Sequence, residues 1–280
     1  MLQVKTPALV LDKEPQYNDE GKILVFTERF GLLYLTASGI YRSGASLAAW
    51  TEPPVRIVAD VSLPEKMLGH GRLLTLSSKN YFTHIRSSYS NMSWFFFYAF
   101  LLKNFLPLGI KSPKIFNLLK ETLGFQDSWT TASKRDLNFA YFLVKLLKAE
   151  GICSGFSSCV VCEEGFSDSD TAYFSLNEQG LLCADCSRKI VRAKARADQE
   201  SFGQGSTSLK FLRLLPQGEN LNLPSGLLRV GPEERAVLTT CENSEQVEQA
   251  YANIFSRPKI DERLFTRVRN FLLIFLAPLL

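Results

Sequence analysis

Two cysteine pairs stand out by their spacing. Cys159-Val-Val-Cys162 and Cys183-Ala-Asp-Cys186 form two C-x2-C knuckles, with residues 163–182 between them. A two-residue gap lets both thiolates of a knuckle face one cation at about 2.3 Å. The full pattern, C-x2-C-x20-C-x2-C, lies at the upper end of zinc-binding spacings. The stretch between the knuckles can fold back on itself. Thr171 to Leu176 is strand-like, and Asn177-Glu178-Gln179-Gly180 is turn chemistry. Four thiolates fill every position of a tetrahedral ion, so the pattern predicts a structural zinc with no position left for substrate. The two remaining cysteines, Cys153 and Cys241, are expected to be core thiols.

The next candidate chemistry is basic. Arg188-Lys189-Ile190-Val191-Arg192-Ala193-Lys194-Ala195-Arg196 holds five basic residues in nine. On a helix Arg188, Arg192 and Arg196 share one face, with Lys189 beside them. Such a row can track phosphates, and it can equally be a solvated face. The first 85 residues offer Lys22, Arg29, Tyr34, Tyr41, Arg42, Arg56, Arg72, Lys79 and Tyr81. Small barrels that hold single strands use basic residues along a groove and aromatic rings that stack bases. The same aromatics can serve a core. Lys103, Lys111, Lys114 and Lys120 could receive an acidic peptide or stand solvated.

No catalytic constellation is visible. The chain has two histidines, His70 and His84, and lacks the glycine-rich phosphate loops and the G-x-S-x-G nucleophile motif. H-x-E with P-C-x-x-C, the zinc deaminase signature, is also missing. The carboxylate pairs Glu163-Glu164 and Glu233-Glu234 are sequence neighbours and do not face one reacting atom. A non-enzymatic protein is expected.

These residues need elements to hold them. With 280 residues, 46% hydrophobic and 21% charged, the chain can build cores, and disorder is excluded. At about 100–200 residues per domain, two or three units are expected. The longest apolar tract, Phe271 to Leu280, is ten residues broken by Pro278. A bilayer needs about 20. The start, Met1 to Pro7, has no apolar leader. A cytoplasmic protein without a membrane segment is expected. The net charge of +4 conceals strong local bias: 86–150 and 187–215 are each +5, whereas 151–186 is −6.

Residues 1–85 show short alternating runs and turns, consistent with a small β-barrel of about five strands. Trp94 to Leu102 is apolar all round and reads as a central buried helix. Ser112-Pro113 starts a second helix and Leu137 to Leu147 marks a third. Ser187 to Glu200 is a polar helix, Gly203 to Ser208 a break, and further helices are expected at Glu233–Thr240, Ser244–Phe255 and Asp261–Leu276. The fold class is α+β.

Several stretches together resemble the RecO family of bacterial DNA repair proteins. They are Tyr17 to Thr27 followed by Gly31, Ala37-Ser38-Gly39, Ile115 to Leu123, Phe142 to Leu147 with Gly151-Ile152, and the two knuckles with Gly180 to Cys186. The resemblance covers about residues 1–190 and more loosely the helical end. It implies an N-terminal OB-fold barrel over 1–85. A helical domain over 86–280 would follow, with a zinc-binding insertion at about 153–190. It further implies a recombination mediator that binds single- and double-stranded DNA, anneals complementary strands and helps load RecA on strands covered by single-strand binding protein. The implied partners are RecR, the acidic tail of single-strand binding protein, RecF and RecA, with association with the nucleoid during repair. The family's basic arm after the third strand is reduced here to Arg42 within Ile40 to Leu47. That departure favours a second possibility, an interaction scaffold with weak direct DNA binding.

Overall fold

The computed structural model describes residues 2–16, 20–42, 46–64, 69–128, 131–175, 177–200, 227–256 and 263–276. The chain divides into two compact units, 1–130 and 131–280.

The first unit is built on a closed barrel of strands β1 (Leu2–Pro15), β2 (Glu20–Thr27), β3 (Gly31–Ser38), β4 (Val55–Leu63) and β5 (His70–Tyr81). The order around the barrel is β1-β2-β3-β5-β4, closed by antiparallel β1–β4 pairing, with β3 and β5 parallel. This is the OB topology. Alternation explains the inside: Ala8 and Val10, Ile23 and Val25, Leu33, Leu35 and Ala37, Val55 to Val61 at every second position, and Leu73 form one buried core. Register shifts between Val10 and Asp12 on β1, and twice along β4–β5, supply the bends that closure needs. A short helix α1 (Ser46–Trp50) lies between β3 and β4.

Helices α2 (Thr83–Arg86), α3 (Tyr89–Phe105) and α4 (Pro113–Ser128) complete this unit. The barrel ends at Tyr81, whereas the compact unit around it runs to Thr130. Asp127 accepts the Ile85 amide at 2.9 Å, Gln126 donates to the Asn91 carbonyl at 3.0 Å, and Phe116 meets Phe26 edge-on. The expectation of a fully buried α3 is corrected. Phe95, Tyr98, Ala99, Leu101 and Leu102 are buried, whereas Phe96 is 47% and Phe100 45% exposed. One side of the helix packs on α2 and β1, and the rings on the other side face solvent.

The second unit centres on α5 (Ala132–Ala149), buried continuously from Asp136 to Val144. A three-stranded sheet follows, β7-β6-β8, from β6 (Ala172–Ser175), β7 (Gly180–Leu182) and β8 (Leu227–Val230). Helix α6 (Ala184–Glu200) leaves β7 directly, and α7 (Pro232–Asn243), α8 (Val247–Phe255) and α9 (Arg263–Leu276) pack around α5. Asp136 of α5 pairs with Arg269 of α9 at 3.1 Å and accepts from Thr266. The expected Gly203–Ser208 break and the last residues of the apolar C-terminal tract lie outside the described residues.

Candidate metal centre and basic surfaces

The hairpin between the knuckles forms as the sequence suggests. Tyr173 pairs with Leu182 and Ser175 with Gly180, so β6 and β7 carry the second knuckle back to the first. The first knuckle is a tight turn. Cys159 N–H donates to Glu164 O at 2.9 Å and Glu163 N–H to Cys159 O at 2.8 Å, with Glu163 in the left-handed region at φ 60°. Val160 N–H donates to Leu181 O at 2.8 Å and ties the two knuckles together. Cys183 precedes the first turn of α6, where the Ser187 amide donates to its carbonyl, and Cys186 lies within that turn.

The four Sγ atoms lie within 4.8 Å of one another. Cys162 and Cys183, one from each knuckle, are 3.8 Å apart. A tetrahedral ion with bonds of about 2.3 Å has edges of about 3.8 Å between its sulfurs. Cys159 and Cys186 are buried, and a small apolar cluster of Leu182, Val160, Phe166, Tyr173 and Ile190 packs around them. Burial pushes the Cys159 thiol up, but the amides of Cys162, Cys183 and Val161 turn toward its sulfur and bring it down to about 7. Cys186 is pushed up to about 12 by burial and by the neighbouring thiols. Four crowded sulfurs with converging amides fit a thiophilic cation, whose charge would allow all four to ionise. The cluster can hold a metal ion.

The spare thiols are in the core. Burial raises Cys153 to about 11 and Cys241 to about 12, so neither is a reactive thiolate. Glu242 joins the hairpin to the helices. Its carboxylate pairs with Lys148 at 2.8 Å and accepts the Phe156 amide at 2.9 Å, while Lys145 donates to its carbonyl.

The basic candidates divide into groups. Arg188, Lys189 and Arg192 are exposed on α6, and Arg188 pairs with Asp185 at 2.5 Å. The side chains of Lys194 and Arg196 fall outside the described part of α6, and that of Lys79 outside the described part of β5. On the barrel, Lys22 stands 3.8 Å from the Tyr34 ring centroid and His70 stacks on that ring at 5.9 Å. Lys103, at the end of α3, hydrogen-bonds Tyr34; that bond first, then the tyrosine's charge and those of Glu14 and Asp12, hold its ammonium above the usual range. Lys103, expected with the partner lysines, therefore joins the barrel face. Arg72 donates to Ser38 at 3.1 Å, and Ser38 to Glu20 at 3.1 Å. The strand register places Glu14, Lys22, Thr36 and Arg72 in one cross-strand row and Asp12, Leu24, Tyr34 and His70 in the next.

This face thus mixes Lys22, Arg72 and Lys103 with Asp12, Glu14 and Glu20. Arg56 and Arg29 are exposed elsewhere on the barrel, Arg29 beside Phe30, and Arg42 follows β3. Lys111, Lys114 and Lys120 are exposed in and before α4. Sequence reasoning missed His70 as a partner of Tyr34, because the parallel β3–β5 pairing that joins them is non-local.

Residues 86–201 match the protein-family description "Recombination protein O C terminal". The DNA repair protein RecO of Alkaliphilus metalliredigens is 26% identical over 187 residues, 65% of this chain and 72% of that protein. RecO of Dehalococcoides mccartyi is 29% identical over 142 residues, about half of each chain. RecO of Clostridium perfringens is 28% identical over 184 residues, 64% of this chain and 71% of the relative. Among the described residues no helix is long and apolar enough to cross a membrane.

Proposed function

We propose that the chain is a RecO-family protein and a non-catalytic mediator of DNA repair and recombination, a reading supported by the family match over residues 86–201 and by RecO relatives at 26% and 29% identity. It binds single- and double-stranded DNA, anneals complementary strands, and works with RecR, and in some lineages RecF, to help load RecA. It acts in the cytoplasm, at the nucleoid during repair. The acidic tail of single-strand binding protein docks on Lys111, Lys114 and Lys120.

One observation carries the DNA reading. The second knuckle of the four-cysteine cluster, Cys183 and Cys186, sits at the start of α6, and that helix then exposes Arg188, Lys189 and Arg192. A sulfur-only tetrahedral donor set suits zinc. Cys159, Cys162, Cys183 and Cys186 would hold the ion, and its bonds to Cys183 and Cys186 would fix the direction of the basic helix that begins there. Phosphates are held by such fixed cations, and the affinity falls as salt competes for them. A strand-annealing assay across a salt series tests this. Annealing at low salt that fades with salt supports it, and no acceleration over free strands at any salt refutes it.

The charge-balanced barrel face favours one further reading, a scaffold that binds RecR or single-strand binding protein and touches DNA weakly. Partner capture without oligonucleotide binding at low salt distinguishes it.

A further inference from the structure

The four cluster cysteines differ in what can reach them. Cys162 is exposed and Cys183 partly buried, whereas Cys159 and Cys186 are 0% and 5% exposed. The Cys159 sulfur also receives the amides of Cys162, Cys183 and Val161, and Leu182 and Ile190 pack around the two buried thiols. Cys162 has no such cover, and its neighbour Val161 is 52% exposed. A solvent-borne reagent therefore meets the Cys162 sulfur first.

The sulfur of Cys183, on the other knuckle, stands 3.8 Å from that of Cys162. Joining them needs a separation of about 2.05 Å, so the two sulfurs must close on each other. Cys183 belongs to the short segment that leads from β7 into α6, and Cys162 to a surface turn. Both can shift without moving the buried pair. A metal-held cysteine is a thiolate, and the thiolate is the form that attacks an oxidant. The carboxylates of Glu163 and Glu164, next to Cys162 in the chain, are exposed and disfavour an anionic oxidant there. A small uncharged hydroperoxide fits.

We propose that Cys162 is an oxidation site, resolved by Cys183 to a disulfide that joins the two knuckles and displaces the metal ion. The Cys162 thiolate attacks one peroxide oxygen and the O–O bond breaks. The leaving hydroxide takes a proton and becomes water, and Cys162 is left as a sulfenic acid. The Cys183 thiolate then attacks the Cys162 sulfur, the S–O bond breaks, and a second hydroxide leaves as water with a second proton. Two thiolates lose two electrons in all, and the peroxide gains them. Cys159 and Cys186 remain, too few donors to keep a structural ion. The new bond closes the loop over residues 163–182, so the start of α6 stays tied to the first knuckle after the ion has gone. A bond within either knuckle would leave the two unlinked. The proposal rests on the metal reading above.

The test uses the full chain, reduced, loaded with zinc and freed of excess reductant and metal. Hydrogen peroxide is added in small molar excess, and released zinc is read with a chromogenic chelator. One ion per chain should be released, and reductant with zinc should restore it. Trypsin leaves both knuckles on one peptide, since no Lys or Arg lies between Lys148 and Arg188. A glutamate-specific protease cuts between them at Glu163, Glu164 and Glu178. Mass spectrometry of that digest should find the two knuckle peptides joined, with fragmentation placing the bond at Cys162–Cys183. The oxidised chain should also melt at a higher temperature than the reduced chain stripped by chelator. Zinc retained with the thiols intact overturns the proposal and leaves the metal reading standing. Release with any other cysteine pairing, or with over-oxidised sulfur and no disulfide, also overturns it. An oxidised chain that melts no higher than the stripped one overturns the tether. A chain that takes up no zinc at the outset overturns both the metal reading and the proposal.

Discussion

Cys162 and Cys183 hold their sulfurs 3.8 Å apart although residues 163–182 separate them in sequence. Nothing covalent joins them; all four cysteines of the cluster are free thiols. Their approach is set by the β6–β7 pairing and by the Val160–Leu181 hydrogen bond. Four thiols at this distance repel as they ionise, so the hairpin alone holds a geometry that a cation would stabilise.

The full chain should therefore bind one equivalent of zinc by metal analysis. Cys183→Ser should lose it, and a chelator should lower the thermal midpoint of the natural chain. Because Cys186 is pushed up to about 12 without a cation, zinc uptake should release protons, and affinity should weaken as pH falls. A chain with no metal after preparation in zinc contradicts the account.

Glu242 should be a structural latch. Glu242→Ala leaves the buried Phe156 amide without its acceptor and Lys148 without its partner. An unsatisfied buried donor costs about 1–3 kcal/mol. Urea unfolding should show that loss. Gly155→Ala should also destabilise, because Gly155 has φ +123° and an added Cβ would lie 2.9 Å from Glu242 Oε1.

The β2–β3 connection depends on Gly31, which has φ +68° and would drive a Cβ into the Ile110 carbonyl. Left-handed backbone alone costs about 1–2 kcal/mol for an L-residue, and the collision adds to it. Gly31→Ala should lower stability by more than about 2 kcal/mol, read from the denaturation midpoint.

Asp136 carries a pH signature. Burial raises its pKa, against the opposing pull of Arg269 and Thr266. The folded state then holds this proton more tightly than the unfolded chain. Its contribution is fully present below the unfolded carboxylate pKa and is lost as pH rises through the folded one. Relative to Asp136→Asn, the natural chain should gain stability as pH is lowered through the carboxylate range. A difference that stays constant with pH contradicts this.

Local spacing made the metal ligands legible, since each knuckle is two residues wide and the turn at 177–180 sets the hairpin. Alternation revealed the barrel strands, and period-3.6 patterning the rows on α6 and the position of α5. What depended on distant pairing stayed hidden. β8 joins β6 from more than fifty residues away, and its four residues carry no alternation that singles them out. Lys103 reaches Tyr34 only because α3 packs beside the barrel, and Lys13 on β1 meets Tyr41, beyond the end of β3, only through the fold of the barrel. The all-apolar run of α3 suggested full burial, but hydrophobicity alone does not count the neighbours available to cover it.

The central claim is that a metal-anchored basic helix neutralises phosphates, and the salt dependence of oligonucleotide affinity tests it most directly. Each phosphate contact on a single strand contributes about 0.7 to the log–log slope. The natural chain should show a steep fall with salt, and the variant with Arg188, Lys189 and Arg192 all changed to Ala should be shallower by about two. An unchanged slope in that variant, with its zinc retained, would contradict the account.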